Sequence, residues 1–325
     1  MLETLESDLR PDAISRPPTT LDIYRDRAFR GLCFAFAWLT VLVVVLIVWE
    51  IGRKALPTLQ SQGTGFLTTS KWDPGKAKFG IAAEIGGTLY SSILGVLIAT
   101  VLGVNVAILL TQEFLPPAME RMLKNIVELL AAIPSVVYGL WGIFVVIPII
   151  RPPANWLHDH LGWIPIFSTH LTGPGMLPAA LVLAIMVLPT ITAISRDSLA
   201  AVPPKIREAA FGLGATKWET ITGVIIPTAS RGIYGGIILG LGRALGETMA
   251  LAMLIGSSSE ISWSLFSLSN TLASLLATKF AEASPIEIQA LMGAAVVLLA
   301  ITLLVNILGT LVIMRTNKFA TETVK

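Results

Sequence analysis

Charge is scarce in this sequence. Only 14% of its 325 residues are Asp, Glu, Lys or Arg, against 54% hydrophobic, and the mean hydropathy is +0.76. Soluble domains carry roughly a quarter charged residues, and a larger core cannot absorb the deficit, because the outer surface still has to be covered. Much of the surface therefore faces lipid. The net charge of +2 is too small to argue for a nucleic-acid partner. Cysteine is nearly absent: the single Cys33 lies in an apolar run, which excludes a disulfide framework or a cysteine zinc cluster and leaves the redox compartment unread. Histidine is confined to one stretch, at His158, His160 and His170. Two histidines flanking Asp159 with no further ligand make a poor metal site, so no metal is expected; the nearby Trp156 and Trp163 suit anchors at a membrane interface. A Gly-x-x-x-x-Gly-Lys-[Ser/Thr] loop is missing too. The nearest stretch, Gly75-Lys76, lacks the first glycine and the hydroxyl, so no nucleotide is expected to bind through that motif. The first apolar run follows a polar, arginine-bearing stretch and has no small-residue cleavage site after it, which predicts an uncleaved membrane helix rather than a signal peptide.

What the sequence does have is long apolar runs. A spanning helix needs about 20 mostly apolar residues. Six runs qualify: Gly31 to Trp49, Thr88 to Leu110, Ile126 to Ile150, Leu177 to Ile194, Gly232 to Ile255 and Ala290 to Met314. Their internal glycines and prolines (Gly139, Gly142, Pro134, Pro148, Pro189) are tolerated in membrane helices. These runs predict an all-α integral membrane protein of about six transmembrane helices, with residues 31–314 as one membrane domain. Residues 1–30, with Pro11, Pro17 and Pro18, read as a disordered tail, and 315–325 as a second tail. Of 23 Lys and Arg residues, 14 fall in the two tails and in the second and fourth loops, and 7 in the other loops. The excess places both termini in the cytoplasm.

The loop from Ser195 to Thr222 carries structure of its own. Pro203 and Pro204 suit a helix start. Ile206, Ala209, Ala210 and Leu213 then fall on one helical face. Gly212 and Gly214 can end the helix, and Thr216 with Glu219 fits a capping box that opens a second one. An apolar stripe on a short cytoplasmic helix either seats in a partner's groove or packs on the membrane domain itself.

The fifth run holds two charges, Arg243 and Glu247, at a spacing that lets them pair on one helix face. Ionised groups within a membrane are costly, so they avoid lipid. Gly232, Gly236 and Gly240 precede them in the same row, and small residues admit close approach of another helix. That face should meet a partner helix or a pore. The pair could lock one helix to another, or the arginine fork could hold a passing oxyanion. Glu128 is a second intramembrane carboxylate, or else sits near the cytoplasmic interface.

Glu208-Ala209-Ala210, then Gly214, then Val224-Ile225-Ile226-Pro227 resembles the EAA loop of ABC-importer permeases, with Val224 and Ile226 as conservative departures. The stretches Glu128–Gly142, Ile185–Ile194 and Gly240–Thr248 resemble motifs of phosphate permeases, and Phe66–Pro74 resembles the outer loop of the PstC type. The resemblance covers about Phe66 to Met314. It implies the type I importer (MetI-like) fold, with a core region of about 84–314 and a coupling loop at 195–222. Glu208, Ala209, Ala210 and Gly214 would form the coupling helix, and Arg243 and Glu247 a gate or phosphate contact. It further implies a phosphate importer working by alternating access, with a second permease of the PstA type, a PstB-type ATPase dimer holding the ATP and Mg, and a PstS-type binding protein. The chain itself would be no enzyme and would bind no cofactor. A permease for phosphonate, molybdate or sulfate would share the coupling helix. A membrane enzyme would need clustered acids or histidines, and a secondary transporter usually carries inverted repeats; neither pattern is evident.

Overall fold

The structure, a computed structural model, describes residues 19–322, with side chains through Met314. Six helical runs among the described residues are long and apolar enough to cross a membrane: Thr20–Gln62, Ala82–Leu109, Ser135–Leu161, Met176–Ala200, Lys217–Leu245 and Pro285–Met314. The chain divides into two units, residues 1–53 and 54–325.

Helix α1 (Thr20–Gln62) begins well before the apolar run it contains. Its start is chemically defined. The Asp22 backbone N–H donates to the Thr19 hydroxyl at 3.3 Å, and the Asp22 carboxylate accepts from the Thr19 N–H at 3.2 Å, a reciprocal cap that satisfies two groups at the helix end. Residues 20–30, assigned to a tail from sequence, are therefore helical; the rest of that tail, residues 1–18, lies outside the described residues.

In the second unit the chain after α1 makes a small folded cap. It comprises α2 (Gly65–Thr68) and a hairpin of β1 (Trp72–Asp73) with β2 (Lys78–Phe79), paired Trp72 to Phe79 and Asp73 to Lys78. The Asp73 carboxylate accepts from the Lys76 N–H at 3.2 Å, closing the turn. Phe66 is fully buried with Phe79 and Ile81 against Leu291 and Ala294.

Helix α3 (Ala82–Leu109) is followed by α4 (Pro117–Ala132), α5 (Ser135–Trp141) and α6 (Ile147–Leu161). The third span differs from the sequence expectation. Pro134 has no N–H to donate, and it drives Ile133 to an extended conformation (ψ 128°), so the helix breaks there. The amphipathic α4 is a separate helix, and the span is Ser135–Leu161. Glu128 consequently sits on α4 and not in a span, where it pairs with Lys124 at 3.9 Å.

Helix α7 (Met176–Ala200) is the axis of this unit: 61% of its apolar window is buried by protein, against 33% or less in the other spans. After it come α8 (Pro204–Gly212), α9 (Lys217–Thr220), α10 (Ile226–Leu245), α11 (Met249–Leu254), α12 (Leu272–Lys279) and α13 (Pro285–Glu322). Helix α13 runs through residues 315–322, which the sequence placed in a tail.

Two wide π-type turns, Gly142–Val146 and Ile221–Ile225, join α5 to α6 and α9 to α10. Each ends two residues before a proline, Pro148 and Pro227. Widening the helix there relieves the clash of the ring with the carbonyl four residues back.

Small residues bring α3 and α10 onto α7. On α3, Gly95, Ala99, Gly103 and Ala107 form a buried row spaced by four. A Cβ at Gly95 would lie 3.1 Å from Leu183, and the Gly103 carbonyl accepts from the buried Thr192 hydroxyl at 3.2 Å. On α10, Gly232 abuts Ser198, a Cβ at Gly236 would lie 3.1 Å from Ile194, and one at Gly240 would lie 2.9 Å from both Val187 and Ile191. The glycine row of the fifth span thus meets a helix, as small-residue packing requires. The α3 row has the same spacing and was legible by the same rule.

Candidate functional site

Two places carry the candidate residues: the α8–α9 loop and the break between α10 and α11.

Pro203 caps α8 in an extended conformation and Pro204 occupies its first turn. At the other end Gly214 takes φ +86°, in the left-handed region that suits glycine. The Ala215 N–H donates to the Ala210 carbonyl at 3.1 Å and the Gly214 N–H to the Phe211 carbonyl at 2.9 Å. This pair of bonds is the Schellman closure. The second helix opens on the expected capping box: the Glu219 N–H donates to the Thr216 hydroxyl at 3.3 Å, and the Thr216 N–H to the Glu219 carboxylate at 2.8 Å. Gly214→Val should strain this turn by roughly 1–2 kcal/mol. Hydrogen exchange should then show faster exchange at Ala215 and in the last turn of α8 while α7 and α10 keep their protection.

The stripe splits. Ala210 is buried, whereas Ile206, Ala209 and Leu213 are exposed, Leu213 by 90%. Phe211 and Trp218, which the stripe did not include, are exposed beside them, Trp218 by 72%. Large apolar side chains in an otherwise polar loop were the signal for those two. Glu208 is exposed and, among the described residues, no hydrogen bond or ion pair holds it. One small residue anchors the helix, and the larger apolar ones are left for something else to cover.

The fifth span ends earlier than its apolar run. Helix α10 stops at Leu245 with Gly246 as its cap, and α11 starts after Thr248. Arg243 and Glu247 therefore do not share a continuous helix, and no ion pair joins them among the described residues. Instead each complements one side of the break. Arg243 lies in the last turn of α10, where a cation suits the helix C-terminus. The Glu247 carboxylate accepts from the Ala250 N–H at 3.3 Å, at the start of α11. Arg243 is exposed and its guanidinium donates to the Thr190 hydroxyl at 3.1 Å, so α10 is tied to α7 next to Pro189. Thr190 belongs to a quoted motif, but its partnership with Arg243 depends on helix packing and has no local sequence signal.

Thr190 also lines a cavity of about 220 Å³ between α4 and α7, together with Lys124, Glu128, Thr192 and Arg196. The lining of this cavity is thus partly charged, and Thr190 links it to Arg243 on α10. Irregular backbone within a membrane protein survives where it is buried in protein or lines a cavity. The α10–α11 break meets the first condition on its α11 side, where Ala250, Leu251 and Leu254 are buried.

A polytopic helical bundle with an exposed, capped loop helix is a permease architecture. Solved ABC transporters share this fold: a bacterial alginate transporter superposes with a TM-score of 0.60 over 88% of this chain and 95% of that one at 15% identity, and the MetNI methionine transporter with 0.55 over 76% and 99% at 16% identity. The family described as binding-protein-dependent transport system inner membrane component matches residues 103–318, and the chain belongs to that family. Among its curated relatives is the phosphate transport system permease protein PstC of Haemophilus influenzae, 40% identical over 88% of this chain and 92% of that protein. Proteins of the same name from Xylella fastidiosa (38% identical, 87% and 88% covered) and Mycobacterium tuberculosis (PstC 2; 36%, 86% and 89%) are also similar.

Proposed function

We propose that this chain is the channel-forming subunit of an importer that moves inorganic phosphate across the bacterial plasma membrane. The observation that carries the reading is the identity of up to 40%, over nearly the whole chain, to proteins named phosphate transport permeases. The subunit works with a second permease of similar fold, a separate ATPase dimer and a phosphate-binding protein that delivers the anion. It hydrolyses no ATP itself. Both termini face the cytoplasm, in keeping with the excess of Lys and Arg in the tails and in the second and fourth loops.

The chain's residues divide the work as follows. Ile206, Ala209 and Leu213 on α8 present an apolar face to the ATPase, with Glu208 beside it for polar contact. The Gly214 closure fixes the angle at which α8 leaves α9. Closure of the ATPase dimer displaces α8, and the buried Ala210 transmits that displacement to the bundle. Inside the bundle the Arg243–Thr190 bond lies between two spans that such a movement shifts relative to each other. A phosphate reaching Arg243 replaces the threonine hydroxyl as a stronger, charge-assisted acceptor.

Labelled phosphate uptake tests this in cells that lack their own importer and express the chain with its neighbouring subunits. Wild type should restore uptake. Arg243→Gln, which keeps a hydrogen-bond donor for Thr190 but loses the charge, should cut uptake at least tenfold with assembly intact. Undiminished uptake in the variant would reduce Arg243 to a packing residue, and an assembled, ATP-hydrolysing complex without phosphate uptake would point to another oxyanion.

A further inference from the structure

We propose that His158, Asp159 and His170 form a binding site for a divalent transition metal ion of the zinc class, where the end of α6 meets the connection to the fourth span. Ligating atoms of the three residues lie within 4.8 Å of one another. The sequence pattern His158-Asp159-His160 points to the wrong pair. His160 is engaged elsewhere, with its Nδ1 2.8 Å from the Trp156 carbonyl and its ring stacked on Trp156 at 4.5 Å. The fold brings in His170 from eleven residues beyond Asp159: the two imidazole centroids of His158 and His170 are 3.8 Å apart, and His170 Nε2 is 3.9 Å from the Asp159 carboxylate.

Three features separate this group from a chance meeting of polar side chains. The first is the tautomer of His158. Its Nδ1 lies 2.7 Å from the Phe167 carbonyl, which can only accept, so Nδ1 carries the proton and Nε2 keeps its lone pair. A backbone carbonyl holding the far nitrogen is the usual arrangement behind a metal-binding imidazole.

The second is that the loop is held in place before any ion arrives. The Leu171 N–H donates to the Asn155 side-chain oxygen at 2.8 Å, and the Asn155 amide donates back to the Leu171 carbonyl at 3.4 Å. Leu171 is fully buried with Ala154 and Phe266, and Thr169 shares a 2.7 Å hydrogen bond with Ser264. His170 lies between these two anchored residues, so its approach to His158 is imposed by the fold.

The third is the donor set. Two imidazoles and one carboxylate suit zinc-class ions, with bonds of about 2.0–2.2 Å, and three protein ligands leave one position open for water. Asp159 and His170 are exposed beside the half-buried His158, so the open position faces outward to solvent or an incoming ion. A bound ion would clamp the end of α6 to the segment that leads into α7.

The test uses the assembled transporter, purified by a tag other than polyhistidine, stripped with a chelator, equilibrated with Zn2+ and freed of excess by gel filtration. Bound zinc is then measured in wild type and in three variants. The expected result is one more zinc per copy of this chain in wild type and in His160→Ala than in His158→Ala or His170→Ala, with affinity at least about tenfold weaker in those two. All four proteins should elute as the same complex, since none of the substituted residues is buried. Equal zinc content in all four, or a loss in His160→Ala alone, would overturn the proposal. So would the absence of any retained zinc in wild type at micromolar free metal.

Discussion

Leu213→Asp should leave the subunit folded and its transporter uncoupled. The side chain is 90% exposed in the isolated subunit, so the substitution removes no contact of the bundle. In the transporter proposed above, the same leucine docks in the ATPase. Burying it in a partner's groove contributes roughly 1.5–3 kcal/mol, and an aspartate there adds the cost of desolvating a carboxylate without a partner. Together these weaken docking by about 3 kcal/mol or more, over a hundredfold in affinity. Phosphate uptake should fall to background and the ATPase should dissociate on gel filtration, while thermal unfolding of the membrane subunit is unchanged. Ala210→Asp provides the contrast. Ala210 is already buried within the isolated subunit, so that change should lower the unfolding temperature of the subunit itself. If Leu213→Asp supports normal uptake, α8 is not the docking helix.

The second large effect lies within the membrane. Gly240→Leu places a side chain where a Cβ alone would already be 2.9 Å from both Val187 and Ile191. Neither neighbour can retreat easily, because both are buried in the core that α7 shares with α3. Overpacking of this kind costs roughly 1–3 kcal/mol, occasionally more, and here it pushes α10 off α7 along with Arg243 and its hold on Thr190. The variant should fail to yield a monodisperse complex in detergent. Gly235→Leu is the matched control: it lies on the same helix, changes propensity in the same way and meets nothing within 4 Å. Equal behaviour of the two variants would show that the glycine row is not a packing surface.

These particulars mark where sequence reading succeeds and where it stops. The spans were legible because hydropathy over about 20 residues is a property of composition. The glycine row was legible because spacing by four is local. Two helix breaks were not. The apolar run from Ile126 to Ile150 continues across Pro134, and a membrane helix can absorb a proline; α4 is separate because Ile133 was driven to the extended region. Likewise Arg243 and Glu247 satisfy an i, i+4 pairing on paper, and the pairing fails because the chain leaves the helix at Gly246. The helix-end preferences that now account for both charges were available, a cation before the glycine and an acid after it. The continuous apolar run from Gly232 to Ile255 masks them. Thr190 and His170 belong to a third kind: each meets its partner, Arg243 or His158, only through the packing of separate elements.

ATP-driven phosphate transport through a bundle that contains this chain can be followed in proteoliposomes holding the purified transporter, with ATP and Mg trapped on the side of the ATPase and the binding protein with labelled phosphate on the other. Phosphate should accumulate only with ATP, should not be matched by labelled sulfate or molybdate under the same conditions, and should fail to accumulate with Leu213→Asp. A complex that hydrolyses ATP yet accumulates no phosphate, or accumulates sulfate or molybdate in its place, would contradict it.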